Sequence, residues 1–356
     1  MEKEVSKSAN PPKPVTALTD GELRTLFEAM HEPVFRSKQL RDFLYTKGVP
    51  SYDVMTSLSK ELRAKLAVSA PLYELKLAKK SDGDDATKWL WKCADGALVE
   101  SVQIRVPDRL TSCLSSQVGC AMGCVFCATG LSGFERHLKA HEILEQYLQM
   151  WAQSGMRSSH VVFMGMGEPL HNYDEVLATV RALNAPTPTG VGIAARRITI
   201  STVGIAPGIR RLADEKLQIE LAISLHAPDE ETRQQLIPVS KRYPITEVMD
   251  AVEEFSAKTR RMVTYEYVLL AGVNDSIMQA NQLARLLRTH PCKCNLIPFN
   301  PVSDSGYSRP TIEAQEAFKE VLEHARIPTT IRFSKGRQVD AACGQLRRQN
   351  LAEQSS

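Results

Sequence analysis

Cys120, Cys124 and Cys127 stand as CxxxCxxC within the run SSQVGCAMGCVFCATG. At this spacing three thiolates can each ligate one iron of a 4Fe-4S cluster and leave the fourth iron open. Thiolates are soft ligands suited to iron–sulfur sites, and such a cluster is ordinarily closed by four cysteines. Three therefore predict that a small molecule completes the shell. S-adenosylmethionine can do so through its amino and carboxylate groups, which makes the chain a candidate radical enzyme. The competing readings are a zinc knuckle short of its fourth ligand and thiols that merely fall close together. Zinc sites usually pair cysteines as CxxC twice or combine them with histidines, and this run does neither.

Phe126, just before the third cysteine, extends the run to a pattern that resembles the mark of the radical S-adenosylmethionine superfamily. Further along, MGMGEP (residues 164–169) follows the apolar stretch HVVFM. Its glycines let backbone approach a ligand closely, and Gly167 with Glu168 are the natural contacts for the cosubstrate's ammonium. Ser201 ends RITIST, Ser224 with Leu225 and His226 ends ELAISLH, and Asn300 follows NLIPF. Each of these alone could be a helix cap or a turn residue. At the same end of successive strands they form a polar ring suited to a cofactor.

Cys343, in DAACGQLR, lies far from the cysteine run, and by spacing alone it reads as a small buried hydrophobe. Cys113, seven residues before the first cluster cysteine, and Glu100, in the strand feeding that loop, carry the same structural default. A thiol pair can nonetheless act as group carrier and resolving nucleophile, because a thiolate is nucleophilic and exchanges readily. Cys93, Cys292 and Cys294 have no comparable motif and read as structural.

To bring these residues together the chain needs strands that end side by side. From residue 99 onward, short β-branched runs alternate with helical stretches, the pattern of repeated βα units. The predicted strands are LVESVQIRV, HVVFMG, RITIST, IELAISL, TYEYVLL, KCNLIPF and TTIRFS, with helices near 140–153, 173–184, 207–215, 245–258, 276–289 and 311–325. The fold class is α/β, an open, partial (βα)6 barrel whose site lies at the carboxyl ends of the strands. Before it, Leu18 to about Leu66 repeats apolar residues at helical spacing, with Thr19 or Asp20 as N-cap, and predicts a small helical domain. The expected division is residues 1–98 (lead-in, helical domain and a linker near KKSDGDDATK), 99–345 (barrel) and 346–356 (polar tail). The helical domain carries Arg36, Lys38, Arg41, Lys47, Lys60, Arg63 and Lys65, which fit either a solvated face or an RNA contact.

The 356 residues, 43% hydrophobic, suffice for one large core and an appended module. A formal charge of +3 permits an RNA partner without demanding one. No stretch approaches the roughly eighteen apolar residues of a membrane span, and the start, MEKEVSKSANPPKPV, lacks the apolar segment of a signal peptide. A cytoplasmic protein with no membrane partner is expected. Eight irregularly placed cysteines do not describe a disulfide scaffold, and a reducing compartment keeps thiolates available.

CAMGCVFCATG, VVFMGMGEP, RRITISTVG, AISLHAP, YEYVLLAGVNDS, NLIPFNPV and DAACGQL, in that order, closely resemble the RlmN/Cfr family of radical S-adenosylmethionine RNA methyltransferases, from about Phe35 to Leu346. FRSKQLRDFLYTKGV is similar to that family's small RNA-engaging domain. The resemblance implies that Cys120, Cys124 and Cys127 hold the 4Fe-4S cluster. It further implies that Gly167, Glu168, Ser201, Ser224, Leu225, His226 and Asn300 contact S-adenosylmethionine, Leu225 through backbone or packing. Cys343 would be methylated and carry the carbon, Cys113 would be its disulfide-forming partner, and Glu100 or Cys113 would accept the proton. The implied substrate is an adenine of 23S rRNA (adenosine 2503, in the peptidyl transferase centre) and of tRNA (adenosine 37), methylated at carbon 2. Two S-adenosylmethionine molecules are consumed per turnover, one to methylate Cys343 and one to generate the radical. An external low-potential electron donor such as flavodoxin is also implied. Methylation at carbon 8 of the same rRNA adenine, the Cfr-type activity, and an RNA-binding protein without turnover are the alternatives.

Overall fold

The computed structural model describes residues 12–302 and 305–346. Most of the expected lead-in and all of the tail beyond residue 346 lie outside them. Three helices come first: α1 (Asp20–Ala29), α2 (Phe35–Asp42) and α3 (Lys60–Ser69). Thr19 caps α1 through a capping box, its hydroxyl accepting from the Glu22 N–H while the Glu22 carboxylate accepts from the Thr19 N–H. Leu23, Phe27, Leu40, Leu62 and Leu66 turn inward and are buried.

The next segment departs from expectation. The stretch expected as a linker is a hairpin, β1 (Lys76–Asp82) and β2 (Ala86–Lys92), which pairs onto β3 (Leu98–Val106). β1 is an edge strand exposed along nearly its whole length, and edge strands tolerate lysines that an inner strand would bury. Lysine-rich composition therefore imitates a linker. A second correction concerns β3, the predicted strand LVESVQIRV. It is antiparallel to β4 (Arg109–Cys113), with Val106 opposite Arg109. The two residues between them, Pro107 and Asp108, cannot make the dozen-residue crossover that parallel pairing requires. The barrel's first parallel strand is β4.

After β4 a small hairpin, β5 (Gln117–Gly119) and β6 (Phe134–His137), encloses the cysteine run and the short helix α4 (Ala128–Leu131). The repeating units follow as α5 (Ala140–Ser154), β7 (His160–Phe163), α6 (Tyr173–Asn184), β8 (Ile198–Thr202), α7 (Ala206–Asp214) and β9 (Glu220–Ser224). They continue with α8 (Glu230–Leu236), α9 (Ile245–Thr259), β10 (Val263–Leu269), α10 (Ile277–Leu287), β11 (Cys292–Pro298), α11 (Ile312–His324) and β12 (Thr329–Ile331). One sheet runs β1-β2-β3-β4-β7-β8-β9-β10-β11-β12, parallel from β4 onward. Its end strands are β1 and β12, so the barrel is open. The crossover helices bury apolar stripes against it, such as Val248, Val252 and Phe255 of α9.

The helical module is clipped to this frame by Glu145 of α5. Its carboxylate accepts the backbone N–H groups of Glu74 and Leu75, each at 2.8 Å, and the hydroxyl of Thr16. Gly48, at φ 60°, lies so close to the Trp151 ring that any side chain there would collide with it.

Candidate active site

The carboxyl ends of the parallel strands open into a cavity of about 930 Å³. Cys120, Cys124 and Cys127 line one part of it, and Gly167, Glu168, Ser201, Ser224, His226, Asn300 and Cys343 line the rest. These are ten of the thirteen residues singled out in the sequence. Burial drives the thiols upward, Cys120 to about 12 and Cys124 well above the ordinary range. Metal binding here would therefore release protons. Among the described residues no three His, Cys, Asp or Glu side chains converge tightly enough to grip a single metal ion. A four-iron cluster takes its thiolates one per iron. Three soft donors facing an open cavity fit such a cluster with one iron left for a ligand.

Gly167 has φ 101°, and a Cβ there would lie 2.6 Å from the Gln117 Cβ, so glycine is required for β5 and the turn after β7 to approach. Glu168 follows. Its N–H donates to Gln117 Oε1 at 2.9 Å, while its two carboxylate oxygens accept from Leu170 N–H (2.9 Å) and Val203 N–H (2.8 Å). Burial raises this carboxyl to about 7, against the pull of those two backbone donors. A cation placed beside it would restore the charged form. Ser201 and Ser224 bring their hydroxyl oxygens within 3.3 Å of one another across β8 and β9.

His226 occupies the left-handed region at φ 60° and packs edge-on against Phe126, ring centroids 5.0 Å apart. Its Nδ1 accepts from Val268 N–H at 2.9 Å, which leaves the hydrogen on Nε2. Burial, aided by the Arg233 guanidinium, lowers it to about 3, so the ring is neutral. Leu225 is fully buried outside the cavity lining; its N–H donates to the Glu266 carbonyl at 3.1 Å.

The segment carrying Cys343 folds back over the cysteine run. The Gly344 carbonyl accepts from Ala128 N–H at 2.8 Å, and Thr129 Oγ1 donates to the Leu346 carbonyl. Asn300 Nδ2 donates to Ser334 Oγ (2.8 Å) and to the Cys343 carbonyl (3.2 Å). Cys343 also faces a second cavity, of about 980 Å³, whose lining includes Cys113, Arg109, Arg332 and Lys335. Burial pushes the Cys113 thiol up to about 12; the Cys343 thiol is raised too, although that residue is exposed to solvent, and Arg332 opposes the shift at each.

Two expectations meet a different setting. Glu100 is buried on β3 and lines neither cavity; its carboxylate lies 3.1 Å from Lys88 Nζ. It shares a strand face with Val102 and Ile104, which do line the second cavity. In the helical module several cations are partnered by acids: Arg41 with Asp20 (2.6 Å), Lys65 with Glu61 (2.7 Å), Lys47 with Asp42 (3.6 Å) and Arg36 with Glu32 (3.8 Å). Sequence reasoning passed over Glu266 and Arg332, both of which line the first cavity. For Glu266 a signal existed, a single acid inside the otherwise uncharged strand VTYEYVL.

Residues 15–72 match the ribosomal RNA large subunit methyltransferase N-terminal domain, and residues 114–284 match the radical SAM superfamily. The chain is 46% identical over 324 residues to the probable dual-specificity RNA methyltransferase RlmN 2 of Protochlamydia amoebophila, covering 90% of each chain. It is 47% identical over 342 residues to the probable dual-specificity RNA methyltransferase RlmN of Symbiobacterium thermophilum, covering 94% of this chain and 91% of that one. The crystal structure of a radical SAM methyltransferase from Sphaerobacter thermophilus matches with a TM-score of 0.90 at 42% identity, over 94% of this chain and 99% of that one.

Proposed function

Because the chain belongs to the RlmN family of radical S-adenosylmethionine RNA methyltransferases, we propose that it methylates carbon 2 of an adenine in 23S rRNA, adenosine 2503, and in tRNA, adenosine 37. One observation carries the reading: Cys343 lines both a cavity that holds the three cysteines and an adjoining one that holds Cys113, with Cys127 and Arg332 also shared between the two. A carbon taken up on one side can be handed over on the other.

An aromatic C–H carbon offers no lone pair to a sulfonium methyl. When bound, the cluster and S-adenosylmethionine supply the one-electron cleavage of a carbon–sulfur bond that polar chemistry at this carbon lacks. Cys120, Cys124 and Cys127 hold the cluster. Glu168, with the Gly167 backbone, takes the cosubstrate's ammonium, and Ser201, Ser224, His226 and Asn300 position the remainder, with Leu225 setting the backbone beneath them. Cys343 accepts the methyl from a first cosubstrate, and a second is consumed in activating it. Once the carbon is joined to the adenine and the adduct has given up one electron and the carbon-2 proton, the Cys113 thiolate would attack the Cys343 sulfur; the carbon–sulfur bond breaks with its electron pair going to carbon, which takes a proton from solvent as the methylated RNA leaves, and the disulfide remains for an external reductant to reset. The proton leaving carbon 2 goes to Glu100 or to Cys113. Of the two, Cys113 is the one in the cavity lining.

The target adenine must leave its stack to reach Cys343, so an unpaired loop base is the expected substrate. The division at residues 98 and 345 assigns RNA engagement to the N-terminal part and chemistry to the barrel; the sheet itself begins at Lys76, within the first part. A cytoplasmic setting supplies RNA and a low-potential donor such as flavodoxin. Among the described residues no helix is long and apolar enough to cross a membrane.

The test is an anaerobic reaction of the reconstituted protein with both RNAs, followed by nucleoside mass spectrometry. Methyl at carbon 2 in each is the expected product. Methyl at carbon 8 refutes the regiochemistry, and no methyl in either RNA refutes the reading.

A further inference from the structure

Glu266 of β10 is 4% exposed and lines the first cavity. Its Oε1 accepts from Asn295 Nδ2 at 2.9 Å and faces Arg332 Nη1 at 3.4 Å. Its Oε2 is buried and has no hydrogen-bond partner among the described residues. A carboxylate is an acceptor with two oxygens to satisfy, and a buried acceptor left unpaired is costly in a low-dielectric interior. The place calls for a hydrogen-bond donor brought in by a ligand.

Strand register indicates which donor. Glu266 pairs across the sheet with Ser224 of β9 on one side and with Asn295 of β11 on the other. Moving strand by strand across the cavity floor, one meets Gly167 and Glu168 after β7, Ser201 on β8, Ser224 on β9 and then Glu266. Three strand spacings separate the first from the last, at most roughly 14 Å along the sheet. A cosubstrate whose ammonium lies at Glu168 therefore presents at Glu266 the part beyond its sulfonium. That part is the adenosyl group, and the piece of it next to the sulfonium is the ribose, with two adjacent neutral hydroxyls, the adenine with its exocyclic amine lying farther out. The same chemistry pairs an acidic side chain with a ribose hydroxyl in dinucleotide-binding folds.

We propose that Glu266 Oε2 accepts a hydrogen bond from a ribose hydroxyl of S-adenosylmethionine, with Asn295 and Arg332 holding the carboxylate in place. The assignment rests on reading this cavity as the cosubstrate's site.

Dissociation constants measured by equilibrium dialysis on the anaerobically reconstituted holoenzyme provide the test. The ligands are S-adenosylmethionine and its 2′-deoxy and 3′-deoxy analogues. Wild-type protein should bind at least one analogue about tenfold more weakly than the parent, the scale of a hydrogen bond to a charged acceptor. In E266A that discrimination should shrink to about twofold or less, because the parent loses the same hydrogen bond. E266Q, nearly isosteric, guards against misfolding. Its oxygen is claimed by Asn295 and Arg332, which turns an amide N–H₂ toward the ligand and also reduces the discrimination. Iron content and circular dichroism should match wild type in both variants. Two results overturn the assignment alone: equal binding of all three ligands by wild type, or undiminished discrimination in the variants, as when a variant weakens parent and analogues by one common factor, the mark of a charge effect. Wild-type protein that binds no S-adenosylmethionine brings down the reading of the cavity and the assignment with it.

Discussion

The two cavities that meet at Cys343 are of similar size and opposite character. The first includes Glu168 and Glu266 in its lining, with the cysteines beside them. The second has Arg109, Arg332 and Lys335, the last two facing Glu266 (3.4 Å) and Asp85 (3.5 Å), and no Asp or Glu among its described lining residues. Acceptors and latent negative charge suit a small cation such as a sulfonium with an ammonium. Guanidinium and ammonium groups suit the phosphates that flank a nucleobase. On the proposed function, charge would sort the two ligands to opposite sides of one thiol, with Arg332, which lines both cavities, at the border.

The division of labour is most vulnerable at the shared wall. Replacing Cys343 with alanine should abolish methyl transfer to RNA while leaving the affinities for RNA and for S-adenosylmethionine within about twofold of wild type, since most surface changes away from a hot spot cost little. Radiolabel transfer and binding assays, run side by side, would tell; residual transfer would mean that another group carries the carbon. A smaller effect separates the sides. R109E with K335E should weaken RNA binding by about tenfold or more at low salt and flatten its salt dependence by roughly 0.7–0.9 in log–log slope for each phosphate no longer neutralised. Cosubstrate affinity should be untouched. E168Q should do the reverse, and a variant that harms both ligands equally would erase the distinction.

The smallest effect probes the border. The Cys343 thiol sits above its ordinary value even though the residue is exposed to solvent, and the Arg332 cation opposes that rise. Alkylation of Cys343 by iodoacetamide should therefore climb about tenfold per pH unit between roughly pH 7 and 9, as the thiolate fraction grows. R332M removes the opposing charge, lifts the thiol further and should slow alkylation several-fold at every pH in that window, by peptide mass spectrometry. An unchanged rate would show that the guanidinium does not act on this sulfur.

Much of this arrangement was legible in the residues themselves. The βα units read correctly because crossover helices such as α9 carry their own apolar stripe and the inner parallel strands are short runs rich in β-branched and apolar residues; both are local signals. What failed was pairing. β1 looks like a linker because an edge strand may be polar on both faces, and β3 looks like a barrel strand because composition does not state which neighbour it meets or in which direction. Glu266 escaped notice for a related reason. Its meaning lies in the opposite numbers Ser224 and Asn295 and in an oxygen left without a donor, and neither is a property of the linear order. Glu100, singled out by resemblance, turned up facing Lys88, a neighbour that only the missed hairpin could supply.

The hydrogen bond from Ala128 to Gly344 joins the residue after Cys127 to the residue after Cys343, the proposed methyl carrier. Anything that tightens the cysteine run should then quieten the segment around Cys343, and by thermodynamic reciprocity, seating that segment should favour loading of iron. Order in the cysteine loop and seating of the segment around Cys343 are thus linked through that one backbone contact.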